Sequence, residues 1–198
     1  MKDNNLTRGF GFLETYLAKK RASKADELIY KSLRKGAVLD IGCGLFPYFL
    51  HNVNFKKKHG VDSVIGKEII KNSSIYLKKA NIEKGRLPYS ENYFDVVTML
   101  AVFEHVNADK LPFLLKEVKR VLRKNGIFVM TTPSPWSNYV LKIMSRLSLV
   151  SKTEIEDHKH TLNSKKIKEY IREAGFDGKN IKNGFFEAYF NMWFKVNK

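Results

Sequence analysis

A doubly wound α/β sheet, mostly parallel and Rossmann-like, with an antiparallel hairpin at its C-terminal end and helices on both faces, is the fold class the sequence predicts. Three observations predict it. Short β-branched runs alternate with segments whose apolar residues recur at helical spacing. One run, 94–101 (FDVVTMLA), is apolar nearly throughout, as a parallel strand covered on both faces should be. The tail, 185–196, is dense in aromatics and suits a last strand.

Between residues 8 and 35 Phe12, Leu13, Tyr16, Leu17, Ala25, Leu28 and Ile29 fall at helical spacing, with no Gly or Pro after Gly11, which predicts one helix or two. Gly36 breaks that pattern. Residues 37–41 (AVLDI) then form a first strand that ends in the turn Gly42, Cys43, Gly44. Residues 59–62 predict a second strand, 73–79 a third and 94–101 a fourth. Leu111, Leu114, Leu115, Val118, Val121 and Leu122 mark a helix with Lys and Arg opposite, expected to stop at Asn125 and Gly126. Residues 126–132 are a fifth strand, ended by Pro133 and Pro135. An inserted helix and loop fill 136–159, and Ser164 is the expected cap of a helix over 165–174 that stops at Gly175. A hairpin of 179–182 with 185–196 closes the sheet.

No internal repeat or linker divides the chain, so it reads as one domain over 1–198, with a helical segment at 1–35 and an inserted acceptor lid at 133–160. A single cysteine, Cys43, excludes an intramolecular disulfide and a cysteine-rich zinc site. No apolar run reaches the ~20 residues that span a bilayer, and the N-terminus lacks a signal-peptide pattern, so a soluble, cytoplasmic protein is expected. Lys and Arg total 36 against 20 Asp and Glu, a formal charge of +16 that favours an anionic partner. The cations are dispersed, however, in short clusters such as 56–58, 78–79, 123–124 and 165–166. A solvated surface therefore explains most of them better than a nucleic-acid groove does.

In sheets of this class a ligand binds beyond the carboxyl ends of the strands. After the first strand come Asp40, Gly42, Cys43 and Gly44, an acid followed by small residues where backbone must approach a ligand closely. Asp62 ends the second strand and is the right group to accept both hydroxyls of a ribose, so a nucleoside is implied. A GxG pair alone also serves any tight turn from strand to helix. Pro47 stands where a dinucleotide fingerprint wants its third glycine, and it removes an amide donor.

Residues 38–44 (VLDIGCG), 60–62 (GVD), 87–95 (LPYSENYFD), 102–106 (VFEHV) and 117–129 (EVKRVLRKNGIFV) occur together in one order over about half the chain. In these segments the sequence resembles the class I S-adenosylmethionine-dependent methyltransferases, and the Ala174, Gly175, Phe176 helix ending looks like theirs too. The resemblance implies S-adenosyl-L-methionine as cofactor. It implies that Gly42, Cys43 and Gly44 line its methionine part, that Asp62 binds the ribose, that Asn81 and Ile82 flank the adenine, that Leu100 and Ala101 lie near the methyl, and that Asp40 and Ser63 are further cofactor-binding residues. Two departures stand out: Phe46 where glycine is common, and Asn81 where an acid is usual.

Methyl transfer from a sulfonium asks the protein mainly to align two groups and exclude water, with a base needed only for a protonated acceptor. Glu104, His105, His158 and His160 are candidates, and His105 and His160 are named as catalytic, His105 standing equally well as a residue that shapes the cofactor pocket. Glu156, Asp157, His158 and His160 read as a polar loop in preference to a metal site, so no metal is expected. Trp136, Tyr139, Leu141, Ile143, Met144 and Leu147 supply core packing, with any exposed remainder forming an acceptor wall or a membrane-surface contact. The expected function is therefore methylation of a small-molecule acceptor, or of a lipid- or glycan-linked one. An RNA methyltransferase and a non-catalytic cofactor-binding homologue are the alternatives. The oligomeric state is left open.

Overall fold

The computed structural model describes residues 12–65, 74–137 and 162–198. Its strands are β1 (Ala37–Ile41), β2 (Lys57–Asp62), β3 (Ile75–Lys79), β4 (Phe94–Leu100), β5 (Leu122–Pro133), β6 (Ile181–Phe186) and β7 (Asn191–Asn197). They form one seven-stranded sheet in the order β3-β2-β1-β4-β5-β7-β6. The first five run parallel, and β7 lies antiparallel to both β5 and β6. The predicted class is the observed one. The order reverses between β1 and β4, so the carboxyl ends of these two strands open a crevice.

Helices cover both faces. On one side α1 (Phe12–Leu28) and the short α2 (Tyr48–Asn52) bury Ala22, Ala25, Phe49 and Leu50 against Val38, Val96 and Val129. On the other, α3 (Leu111–Val121) and α4 (Ser164–Glu173) set Leu114, Leu115, Val118, Ile167 and Ile171 against Leu39, Val97 and Phe128. Burial on both faces is why β1 and β4 read as continuous apolar runs. Among the described residues no helix is long and apolar enough to cross a membrane. The N-terminal periodicity resolves into two pieces, α1 and a 3-10 turn at Lys31–Lys35.

Several boundaries differ from expectation. The third helix ends at Val121 and not at Asn125, because Leu122 adopts extended backbone and pairs with Phe94. Pairing then jumps to Val96 with Ile127, and residues 123–126 bulge around Asn125 at a left-handed φ of 64°. The expected strand over 185–196 is broken by a turn: Glu187, Ala188 and Tyr189 all take left-handed φ, at 51°, 49° and 69°. Phe185 and Phe186 consequently belong to β6, and residues 178–180 form a 3-10 turn ahead of it. Helix α4 is capped by Asn163, whose side chain accepts from Lys166 N at 2.9 Å, and Ser164 is its first residue.

Two acids tie loops to this frame. Asp95 Oδ2 accepts from Ala37 N at 2.7 Å, and a Cβ on Gly36 would overlap that carboxylate, so glycine is required where β1 begins. Glu117, buried, accepts from Leu87 N at 2.9 Å and from Arg120 at 2.7 Å through both oxygens. Arg120 in turn donates to the carbonyls of Leu87 and Tyr89. Burial pushes the Glu117 carboxyl up, but the Arg120 hydrogen bond and the Leu87 N–H outweigh it and hold the group below its ordinary range.

Glu117→Ala should therefore lower stability by about 3 kcal/mol, as loss of one partner from a buried pair does, in urea unfolding at neutral pH. Because the native carboxyl is depressed, this contribution is fully present above the unfolded carboxylate range and is lost as pH falls from there through the lower native value, so the gap between wild type and variant should narrow in acid. A gap that stayed constant down to acid pH would mean that the ionised form is not what matters.

Candidate functional site

The carboxyl edge of the parallel strands gathers most of the predicted site residues. Asp40 stands next to last in β1 and is 5% exposed; Thr98 Oγ1, from β4, donates to its Oδ1 at 2.7 Å and to Leu39 O at 3.3 Å. Burial pushes the Asp40 carboxyl up, the Thr98 hydrogen bond offsets part of this, and the charge of Asp62 adds to it, leaving the group at about 7.

Just beyond β1, Gly42 and Gly44 take left-handed φ of 75° and 72°. A Cβ on Gly42 would lie 2.3 Å from Val102 Cγ2, whereas a Cβ on Gly44 would meet nothing within 4 Å. One glycine is forced by packing, and the other faces open space.

Asp62, at the end of β2, closes this turn from the neighbouring strand. Its Oδ2 accepts from Gly44 N at 2.9 Å, and its Oδ1 from Val64 N at 3.0 Å and Ser63 Oγ at 3.3 Å. Cys43, between the two glycines of the turn, is buried. Burial and then the charges of Asp40 and Asp62 hold its thiol well above the ordinary range. Phe46, which departs from glycine, stacks flat on His51 one turn into α2, with ring centroids 4.9 Å apart.

After β4, Leu100 is paired with Thr131, and Ala101 turns the chain at a φ of 55° with its N–H on the Thr131 carbonyl at 3.0 Å. Phe103–His105 form a 3-10 turn. Glu104, buried, accepts from Thr132 Oγ1 at 3.1 Å, which fastens this turn to the end of β5, while His105 is half-buried with its N–H on the Val102 carbonyl. Beyond β3, Ile82 packs on the core and Asn81 is exposed. The Asn81 side-chain oxygen accepts from Glu83 N at 2.9 Å, a local turn bond. The second predicted catalytic residue, His160, lies outside the described residues, as do His158, Glu156, Asp157 and the predicted lid from 138 onward.

Residues 39–130 match the family model of the methyltransferase domain. That segment, just under half of the chain, is similar to a methyltransferase domain. The fold of the chain is close to that of a SAM-dependent methyltransferase from Archaeoglobus fulgidus, with a TM-score of 0.68, 18% identity and 95% of each chain covered. It is also similar, at a TM-score of 0.65 and 15% identity over 94% of this chain and 81% of the other, to a Burkholderia thailandensis 1,6-didemethyltoxoflavin-N1-methyltransferase. That enzyme was solved with 1,6-didemethyltoxoflavin and S-adenosylhomocysteine bound. An uncharacterized protein of Methanocaldococcus jannaschii is 28% identical over 116 residues, 54% of this chain; the match spans about half of that relative, 49%.

The cofactor that these likenesses imply is S-adenosylmethionine. The residues present fit such a group. Two neighbouring carboxylates that repel one another suit a cationic ligand, and the space before Gly44 gives it room. Thr98 and Val102 escaped sequence reasoning, although a lone threonine inside the apolar run of β4 is a visible anomaly that points to a buried polar partner.

Gly42→Ala should destabilise the chain by about 1–2 kcal/mol through left-handed backbone alone, and further through overlap with Val102. Adding Val102→Ala should recover the overlap part and leave the backbone part. Chemical denaturation of both variants checks this, and a single variant as stable as wild type would contradict it.

Proposed function

We propose that this chain transfers a methyl group from S-adenosylmethionine to a small-molecule acceptor. The observation that carries the reading is the junction of the Gly42 to Gly44 turn with the Asp62 carboxylate at the carboxyl edge. When bound, the cofactor supplies a methyl on a sulfonium sulfur: the carbon–sulfur pair returns to sulfur as the acceptor's lone pair takes the methyl.

On this reading Gly42, Cys43 and Gly44 line the methionine part, and Asp40 with Asp62 provides the negative field for a cation. Asp62, fixed between the two turns by its bonds to Gly44 N and Val64 N, accepts the ribose hydroxyls. Ser63 flanks the ribose, Ile82 offers an apolar side to the adenine, and Asn81 contributes its amide beside the turn it already holds. Leu100 and Ala101 form the floor nearest the methyl, excluding water there. The thiol of Cys43 is kept protonated by its surroundings, which makes it a poor competitor for the methyl. Any acceptor proton is assigned to His105, on the turn that Glu104 anchors, with His160 as the second candidate. The segment 133–160 is proposed to select the acceptor.

Calorimetry should show S-adenosylmethionine and S-adenosylhomocysteine binding, with Asp62→Asn weakening both by roughly 10- to 100-fold, the range for hydrogen bonds to a charged group. The pH dependence has a definite sign. A cation stabilises ionised Asp40, so binding releases its proton, and the preference for S-adenosylmethionine over its uncharged-sulfur product should rise as pH climbs through about 7. Asp40→Asn should flatten that profile. If wild type bound neither compound, the proposal would fail.

A further inference from the structure

The amino edge of the sheet, opposite the glycine turn, collects cations that the sequence scatters. Lys56 and Lys57 stand where β2 begins, Arg34 and Lys35 end the 3-10 turn ahead of β1, and Arg123 and Lys124 occupy the bulge in β5. The sheet order sets these strands side by side, as β2, β1, β4 and β5. At roughly 4.8 Å per step between strands, the row from Lys56 to Lys124 runs about 14 Å. Lys56 N donates to Arg34 O at 3.1 Å and Lys57 N to Gly36 O at 3.2 Å, which fixes one half of the row. There Arg34, Lys35, Asn54, Phe55 and Lys56 line an open cavity of about 480 Å3, with no acid among the described residues of its wall.

The acids nearest the row are engaged. Asp26 closes on Arg34 at 2.7 Å, while Asp95 accepts from Ala37 N and pairs with Arg123 at 3.2 Å. Glu91 lies further along, where it acts on Arg120 and Lys198. Lys35, Lys56 and Lys124 are exposed, and none meets a carboxylate among the described residues. Like charges gathered in this way repel one another, and an anion laid along them relieves the repulsion. A row of this length exceeds one phosphate group, so the matching anion is a chain of phosphates. The large apolar side chains exposed nearest the row are tyrosines: Tyr30, with Lys195 over its ring, and Tyr76, which stacks on His59 at the start of β3 and is 61% exposed. Leu45 and Trp136, the kind of side chain a lipid surface engages, lie beyond the carboxyl ends of β1 and β5. Cations next to an exposed ring suit phosphates that alternate with bases.

We infer that the amino edge binds a single-stranded nucleic acid, with its phosphates on Lys56, Lys35 and Lys124 and a base on Tyr76. A duplex keeps its bases stacked on one another and has none to offer that ring. Strand β1 is five residues long, about 16 Å, so a strand held at its start stays clear of the glycine turn at its end. The surface therefore anchors the chain to a polynucleotide without filling the site at the carboxyl edge, and the inference does not rest on the methyltransferase reading.

The test is fluorescence anisotropy of the full chain with a labelled oligouridylate across a salt series. Two triple variants of equal net charge are compared with wild type: Lys35→Glu, Lys56→Glu, Lys124→Glu at the amino edge, and Lys84→Glu, Lys116→Glu, Lys165→Glu at exposed positions elsewhere. The amino-edge variant should lose about tenfold or more in affinity, and its slope of log affinity against log salt should shrink by about three, one for each phosphate contact removed. The other variant should stay within about twofold of wild type. Thermal unfolding checks that both are folded, and Lys35→Gln, Lys56→Gln, Lys124→Gln repeats the comparison if the reversed charges prevent folding. Equal losses in the two variants, or tighter binding of wild type to a duplex of the same length or to anionic phospholipid vesicles, overturn the inference. S-adenosylhomocysteine calorimetry should give one affinity for wild type and both variants; its failure in wild type counts against the methyltransferase reading alone.

Discussion

The carboxylate of Asp62 joins two turns that are far apart in sequence. By accepting from Gly44 N and Val64 N it locks the loop after β1 to the loop after β2, and the open space before Gly44 exists because of that lock. The neighbouring acid, Asp40, is held by Thr98 from the strand on the other side. Three adjacent strands thus converge on one small volume of negative potential, in surroundings where water is scarce and charges interact strongly. Everything chemical in the proposed reaction borrows its geometry from this arrangement.

The segments that mark the family in sequence divide into two kinds of work. The glycine turn and Asp62 face the site. Residues 87–95 and 117–129 mostly hold the frame: Glu117 and Arg120 strap the 87–89 loop onto α3, and Asp95 fixes the start of β1. Residue types in such straps are dictated as strictly as in a site, because an unmet buried carboxylate or backbone amide is expensive.

How much could be read from sequence follows from which interactions are local. Periodicity identified β1, β4, α3 and α4, since their apolar residues meet cores on predictable faces. The turn at Gly42 and Gly44 was legible because left-handed backbone after a strand favours glycine, and Asp62 stood out as an acid at a strand end. The bulge at 123–126 was not, because Leu122 satisfies both a helical and a strand pattern and only its pairing with Phe94 decides. The turn at 187–189 contains neither glycine nor asparagine, so no turn signal announces it. That the Asn81 oxygen is engaged by Glu83 N two residues along was not legible, because nothing in the sequence distinguishes this local turn bond. Lys56 and Lys124 stand far apart in the chain, and nothing short of the folded sheet brings them to one edge.

The sheet order has a consequence for biogenesis. Strand β5 is flanked by β4 on one side and by β7 on the other, and its β7 partner is synthesised some 60 residues later. While the ribosome is still translating that interval, the backbone of residues 127–133 is an open edge bearing Ile127, Val129 and Met130, the kind of strand that recruits other chains. Arg123 and Lys124 precede that edge directly. Charge beside an exposed apolar strand opposes its pairing with other chains, and the antiparallel hairpin of β6 and β7 covers that edge in the finished sheet.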